Sequence, residues 1–164
     1  MLQYLRSTNS DSIISPQENL QSGSWVRCER PSDEEVSQLL TLGLDEDLIS
    51  DALDPHEVPR IEFDDEWTYL IARLPDTDDD FNDFTTPILF CINKDHIVTL
   101  SRDSLGRLWQ PFIDKVRIRT DRQVELLVAM VEAISTQYQR RVATINRQMR
   151  VATDSIHTLR VNDI

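Results

Sequence analysis

Glycine is scarce in this sequence: there are three among 164 residues, isolated at Gly23, Gly43 and Gly106. A phosphate-cradling loop needs several glycines close together, so that kind of nucleotide site is excluded. Cysteine is scarcer still. Cys28 and Cys91 lie in the strand-like runs Trp-Val-Arg-Cys and Ile-Leu-Phe-Cys-Ile without a CxxC companion, which predicts reduced, buried thiols rather than metal ligands. The three histidines, His56, His96 and His157, are far apart, and none pairs with another histidine or a cysteine at ligand spacing. Surface or capping roles are expected for them. GxSxG and HExxH are missing and the serines fall in no motif, so nothing supports nucleophilic or zinc catalysis, and the expectation is a protein that is not an enzyme. No run approaches ~18 apolar residues, and Met1 to Arg6 lacks a signal-peptide pattern, so a soluble chain on the cytoplasmic side is expected.

What is present is a folded chain with lopsided charge. Hydrophobic residues make up 40%, enough for one domain with a real core. The formal charge is -12, which argues against nucleic acid as a partner, because phosphate contacts need a basic face. Residues 29 to 83 hold nineteen acidic against three basic residues, and residues 84 to 164 hold eight against twelve. The first balance, -16, could attract cations; the second, +4, leaves the C-terminal part mildly basic.

The dominant element is C-terminal. Val124, Leu127, Val131, Ile134, Tyr138, Val142, Ile145, Met149, Ala152, Ile156 and Leu159 recur at steps of three or four with no Gly or Pro between. This predicts one amphipathic helix from near Asp121 to about Arg160, roughly 50 Å or more long. Thr120 is its expected N-cap. Upstream, Leu2 to Leu5 and Ile13-Ile14 read as short strands and Ser24 to Glu29 as a better one. Ser32-Asp-Glu-Glu35 is a capping-box pattern opening a helix to about Leu42, which Gly43 ends. Asp45 opens a second short helix, Glu46 to Leu53, which Pro55 and Pro59 prevent from continuing. The period then becomes strand-like through Arg60 to Phe63, Trp67 to Leu74, Thr85 to Ile92 and His96 to Leu100. Asp64-Asp-Glu66 and Asn93-Lys-Asp95 are hairpin-sized turns, and the loop Asp76 to Asp83 separates the two hairpins. Leu105 to Val116 is a further amphipathic helix. Strands flanked by amphipathic helices predict an α/β (α+β) domain, a mixed sheet with helices on both faces and a long C-terminal helix.

Two acidic stretches invite a metal reading. Asp76-Thr-Asp78-Asp-Asp80 begins like a calcium loop, but its sixth position is Phe81 and its twelfth Pro87. An EF-hand is therefore excluded and a solvated acidic loop expected. The stretch Leu48 to Phe63 differs, because a short helix turns through two prolines into a strand and leaves Asp51 and Asp54 at the helix's C-terminal end. The helix dipole is negative there, so a cation or basic group nearby would offset the carboxylates. Solvated surface carboxylates are the alternative.

At this stretch the sequence resembles the N-terminal cytoplasmic domain of the CorA family of divalent-cation transporters. The resemblance rests on Leu48-x-x-Asp51-x-Leu53-x-x-His56-x-x-Pro59-Arg-Ile-Glu-Phe63, on Ile97-Val-Thr-Leu100 after a turn containing Lys94, on Leu126-Leu-Val-Ala-Met-Val-Glu132, and on the order of elements over residues 24 to 160. It implies an α/β/α sandwich spanning 1–164 as a single funnel domain, cut before the stalk and transmembrane helices. It also implies a homopentamer in the cell (inner) membrane, with Mg2+ regulatory and transported and Zn2+ or Co2+ as other candidate ions. A regulatory metal between subunits would fall on Asp51 and Glu132. Ser50 stands where the family pattern has a second acid, which implies a weaker or more hydrated site. Two other readings stay open: a ZntB-type Zn2+ transporter domain, and a stand-alone acidic adaptor whose long helix binds a partner helix.

Overall fold

The computed structural model describes residues 1–9, 13–77, 83–114 and 118–162, with α4 side chains described as far as Thr153. The strands are β1 (Leu2–Arg6), β2 (Ser15–Gln17), β3 (Trp25–Glu29), β4 (Arg60–Phe63), β5 (Thr68–Thr77), β6 (Asp83–Ile92) and β7 (Ile97–Ser101). The helices are α1 (Asp33–Thr41), α2 (Glu46–Leu53), α3 (Gly106–Asp114) and α4 (Gln123–Asn162). One seven-stranded sheet has the order β2-β1-β3-β7-β6-β5-β4, with β3 and β7 parallel and the other neighbours antiparallel.

The apolar runs explain the layers. Along β6, Ile88 and Phe90 enter the core under α3 and α4, while Leu89 and Cys91 enter the core under α1 and α2. Successive strand side chains point to opposite faces, so an unbroken apolar run requires cover on both. Leu39, Leu44, Leu48, Ile49 and Ala52 cover one face; Leu105, Leu108, Trp109, Phe112, Leu126, Met130 and Ile134 cover the other. The Trp25 indole meets Trp109 edge-on at 5.5 Å and donates to Thr99 Oγ1 at 2.9 Å. The expected sandwich is therefore present.

Local signals read well where local chemistry closes them. Ser32 and Glu35 make the full capping box. Asp45 caps α2 by accepting from Asp47 and Leu48 amides. Gly43 ends α1 at φ 96°. Both cysteines are buried free thiols.

Tertiary contacts moved four other expectations. The second strand lies at Ser15–Gln17 rather than Ile13-Ile14, because pairing of Arg6 with Ser15 and Tyr4 with Gln17 sets its register and leaves Ile14 to fill the core. β5 and β6 pair along their whole length, to Thr77 opposite Asp83, so the acidic loop joins two strands of a third hairpin instead of separating hairpins. Asp78-Asp-Asp80 lies outside the described residues, as does the expected end of α3 at Val116. Thr120 is not a helix cap: its buried hydroxyl accepts from the Ser7 amide at 2.9 Å and donates to the Gly23 carbonyl, tying the start of α4 to β1 and to the lead-in of β3. Asp121 crosses Gly23 so closely that a Cβ on Gly23, at φ 81°, would stand 2.8 Å from the Asp121 Cβ. Docked this way, α4 buries Leu126, Met130 and Ile134, and Val124, expected on the inner face, is 67% exposed.

Leu89→Ala should cost about 2–5 kcal/mol in urea unfolding, since no solvent reaches that side chain and the cavity cannot collapse between two covered faces. Phe63→Ala, at 76% exposure, should stay within about 0.5 kcal/mol. Partial burial works to raise the Glu35 carboxyl, but hydrogen bonds from the Ser32 and Leu2 amides and the N-terminal ammonium hold it below the usual range. That stability is complete above the unfolded value of ~4.3 and lost as pH falls through the folded one. Glu35→Gln should therefore flatten the acid limb of a stability–pH curve.

Candidate functional site

The acidic end of α2 is assembled by short-range rules. Its inward face carries Leu48, Ile49 and Ala52, which turns Asp51 to the rim at 38% side-chain exposure. Asp54 closes the helix, and its carboxylate accepts from the His56 amide at 2.8 Å while its carbonyl accepts from Glu57. Two prolines then deliver the chain to β4, the edge strand paired with β5. Arg60 lies opposite Ile71 and Glu62 opposite Tyr69, both of which face α1 and α2. Strand alternation therefore sends Arg60 and Glu62 toward the end of α2, and Ile61 and Phe63 the other way.

Arg60 is the centre of this arrangement. Its Nη2 donates to Asp51, its Nη1 to Glu57 and its Nε to Glu62. The Glu62 carboxylate first, and Asp51 and Glu57 with it, raise the Arg60 guanidinium further above its ordinary value, outweighing the opposing effect of partial burial. Arg73 of β5 staples the proline turn from beneath, donating to the carbonyl of Glu57 at 2.6 Å and of Pro55 at 2.9 Å, and to Thr85 Oγ1 at 2.6 Å. The basic group expected to offset the helix-end carboxylates is thus Arg60. Glu57, Glu62 and Arg73 were missed; the alternating charges of Arg60-Ile-Glu62 were the available signal for the second of them.

The two residues expected to share a metal do not meet within the chain. Asp51 is on α2, on one face of the sheet, and Glu132 is exposed on α4, on the other. No group of three or more His, Cys, Asp or Glu able to hold a metal is found among the described residues. The donor class suits a hard cation, since Asp51, Glu57 and Glu62 offer carboxylate oxygens, but one chain supplies only part of a shell. Soft or nucleophilic chemistry is disfavoured: burial pushes the Cys28 thiol up to about 12 and raises Cys91 as well. Burial also lowers the His96 imidazole, with Asp95 opposing. His56 is exposed, and the His157 side chain lies outside the described residues. A cavity of about 700 Å3 between α3, α4 and β5 is lined, among the described residues, by Arg107, Arg140 and Arg141 with Asp76 as its one carboxylate, a net-basic lining unlike a cation site.

Comparison with known proteins bears on the whole arrangement. The model of the family described as CorA-like Mg2+ transporter protein matches residues 21–164. A cobalt/magnesium transport protein, CorA, of Methanocaldococcus jannaschii is 26% identical over 138 residues, covering 80% of this chain and 43% of the relative. The soluble domain of CorA from the same organism superposes with a TM-score of 0.80 at 21% identity, covering 94% of this chain and 64% of that one. The ZntB cytoplasmic domain from Vibrio parahaemolyticus superposes at 0.65 with 14% identity, covering 90% and 63%. The chain thus spans less than half of the curated relative and under two thirds of either structure's chain.

Arg73→Met would leave the turn carbonyls without their charged donor. It should cost about 1–3 kcal/mol, read from the urea midpoint, and should speed amide exchange at His56 and Glu57 more than in the β6–β7 hairpin.

Proposed function

The chain belongs to the CorA-like Mg2+ transporter protein family, and from that premise we propose that it is the metal-sensing and assembly domain, on the cytoplasmic side of the membrane, of a transporter moving divalent cations. In this reading it catalyses no reaction. One observation carries the proposal: the family match takes in residues 21–164, hence both helical layers and the α2–proline turn–β4 segment that presents Asp51. The family's description favours Mg2+ as cargo, the name of the archaeal relative puts cobalt beside it, and the fold likeness to ZntB keeps Zn2+ as the alternative. No described helix is long and apolar enough to cross a membrane; in the proposed reading the domain lies at the cytoplasmic side of the inner membrane.

The opposed placement of the two candidate ligands supports a site between copies. Asp51 on one face and Glu132 on the other can approach each other only when the α2 side of one copy meets the α4 side of the next. Such a head-to-tail contact closes into a ring when its rotation allows, and the homopentamer is the ring we assign. Exposed Val142, Ile145 and Met149 along α4 suit such packing.

Mg2+ dehydrates reluctantly and is commonly held by one or two carboxylates with waters retained. Asp51 and Glu132 would hold such an ion between copies. Empty, the net-negative cluster of Asp51, Glu57 and Glu62 around Arg60 repels Glu132 of the next copy; filled, Asp51 and Glu132 are bridged, and the closed ring is favoured by the difference in Mg2+ affinity between the two arrangements.

In vesicles carrying the complete protein, Asp51→Ala should raise the internal Mg2+ needed for half-inhibition of flux by roughly fivefold or more. Unchanged inhibition removes Asp51 from the sensor, and absence of any cation flux in the wild type removes the transporter reading.

A further inference from the structure

We propose that Arg60 is a tethered counter-ion which a divalent cation must displace from Asp51, so that Arg60 sets the concentration at which the site fills. The proposal rests on the reading of Asp51 as a sensor ligand and concerns what that ligand does when no metal is present. Asp51 is not a waiting carboxylate: its Oδ2 is already held by Arg60 of the same chain. A cation arriving there has to win an exchange rather than enter a vacancy.

Three features make exchange workable. First, the pair is reachable from water, with Arg60 at 28% and Asp51 at 38% side-chain exposure. Secondly, Arg60 is not stranded when it leaves Asp51, because Glu57 and Glu62 still hold Nη1 and Nε. Glu57, at 16% exposure, is the more buried anchor and keeps the guanidinium close enough to return. Losing one of three carboxylates avoids the heavy penalty of an unpaired, half-buried charge. Thirdly, β4 alternation and the Arg73 staple fix where the head group sits, so the competing charge is at constant local concentration.

The arrangement also discriminates by charge. A monovalent cation brings no more charge than the guanidinium it would replace, and it lacks the planar fork that fits carboxylates. A divalent ion doubles the Coulomb attraction to Asp51 at equal distance. Arg60 would therefore keep K+ and Na+ off the sensor while yielding to Mg2+.

Calorimetric titration of the complete protein in detergent with MgCl2, in ~0.15 M KCl, tests this. Arg60→Gln should tighten Mg2+ binding by roughly two- to fivefold, the scale of a partly screened ion pair. Asp51→Asn in the same chain should abolish that gain. Arg60→Lys, which keeps the charge without the fork, should fall between, and it decides the matter if Arg60→Gln fails to fold as judged by its melting curve. A purely structural Arg60 would shift melting and leave Mg2+ affinity unchanged. Unchanged affinity in the Arg60 variants, with Asp51→Asn alone weakening binding, overturns the competitor and leaves the sensor standing. An equal gain in the Asp51→Asn background shows a diffuse field effect and overturns it too. If Asp51→Asn alone leaves Mg2+ binding intact, the sensor reading has failed, and the competitor with it.

Discussion

The middle of the sheet has no face that can meet water. In β6 and β7, Ile88, Leu89, Phe90, Cys91, Ile97, Val98 and Leu100 are all fully buried, alternately on the two sides. At about 25 cal/mol per Å2 of apolar surface, leaving either side open would forfeit much of the driving force for folding. Helical cover on both faces is the condition for these strands to exist. The rest of the layout follows: α1 and α2 seal one side, α3 and the first three turns of α4 seal the other, and apart from the buried Arg27–Glu29 pair of β3 and the Thr86, Thr99 and Ser101 hydroxyls, polar side chains collect at edges, turns and helix ends.

The same layout explains why the solvent-accessible carboxylates of the candidate site lie at the rim. β4 is an edge strand, and one of its sides looks toward the end of α2. An acidic helix end is electrostatically unfavourable by itself, since the dipole and the carboxylates share a sign. The chain answers with a guanidinium from the next element. Arg60 is surrounded by more negative charge than it neutralises, which keeps the rim attractive to cations without leaving Asp51 bare.

α4 is used twice along its length. Leu126, Met130 and Ile134 belong to the core, whereas Tyr138, Val142, Ile145 and Met149 are exposed although their spacing is equally amphipathic. The sheet is too narrow to occupy forty residues of helix. An apolar stripe that outruns its own domain is suited to contacts between chains, which is why the assembly reading draws on α4 and the sensing reading on α2.

Features whose cause lies within a few residues are legible without the fold. The Ser32–Glu35 box, the Asp45 cap, the stop at Gly43, α2 from Glu46 to Leu53 and the β4 hairpin from Arg60 each close within about a dozen residues, so reading them required no knowledge of what packs above. The buried state of both cysteines and helical cover on both faces were also legible, because unbroken apolar runs leave few alternatives. The remaining features depend on long-range packing. Thr120 looked like a cap until Ser7 and Gly23 claimed its hydroxyl. Val124 looked buried until the Asp121–Gly23 contact rotated α4. Whether Asp51 was solvated or offset, and by which group, stayed open until the pairing register of β4 aimed Arg60 at it. In each case the deciding partner is distant in sequence or set by strand register, and local periodicity carries no information about either.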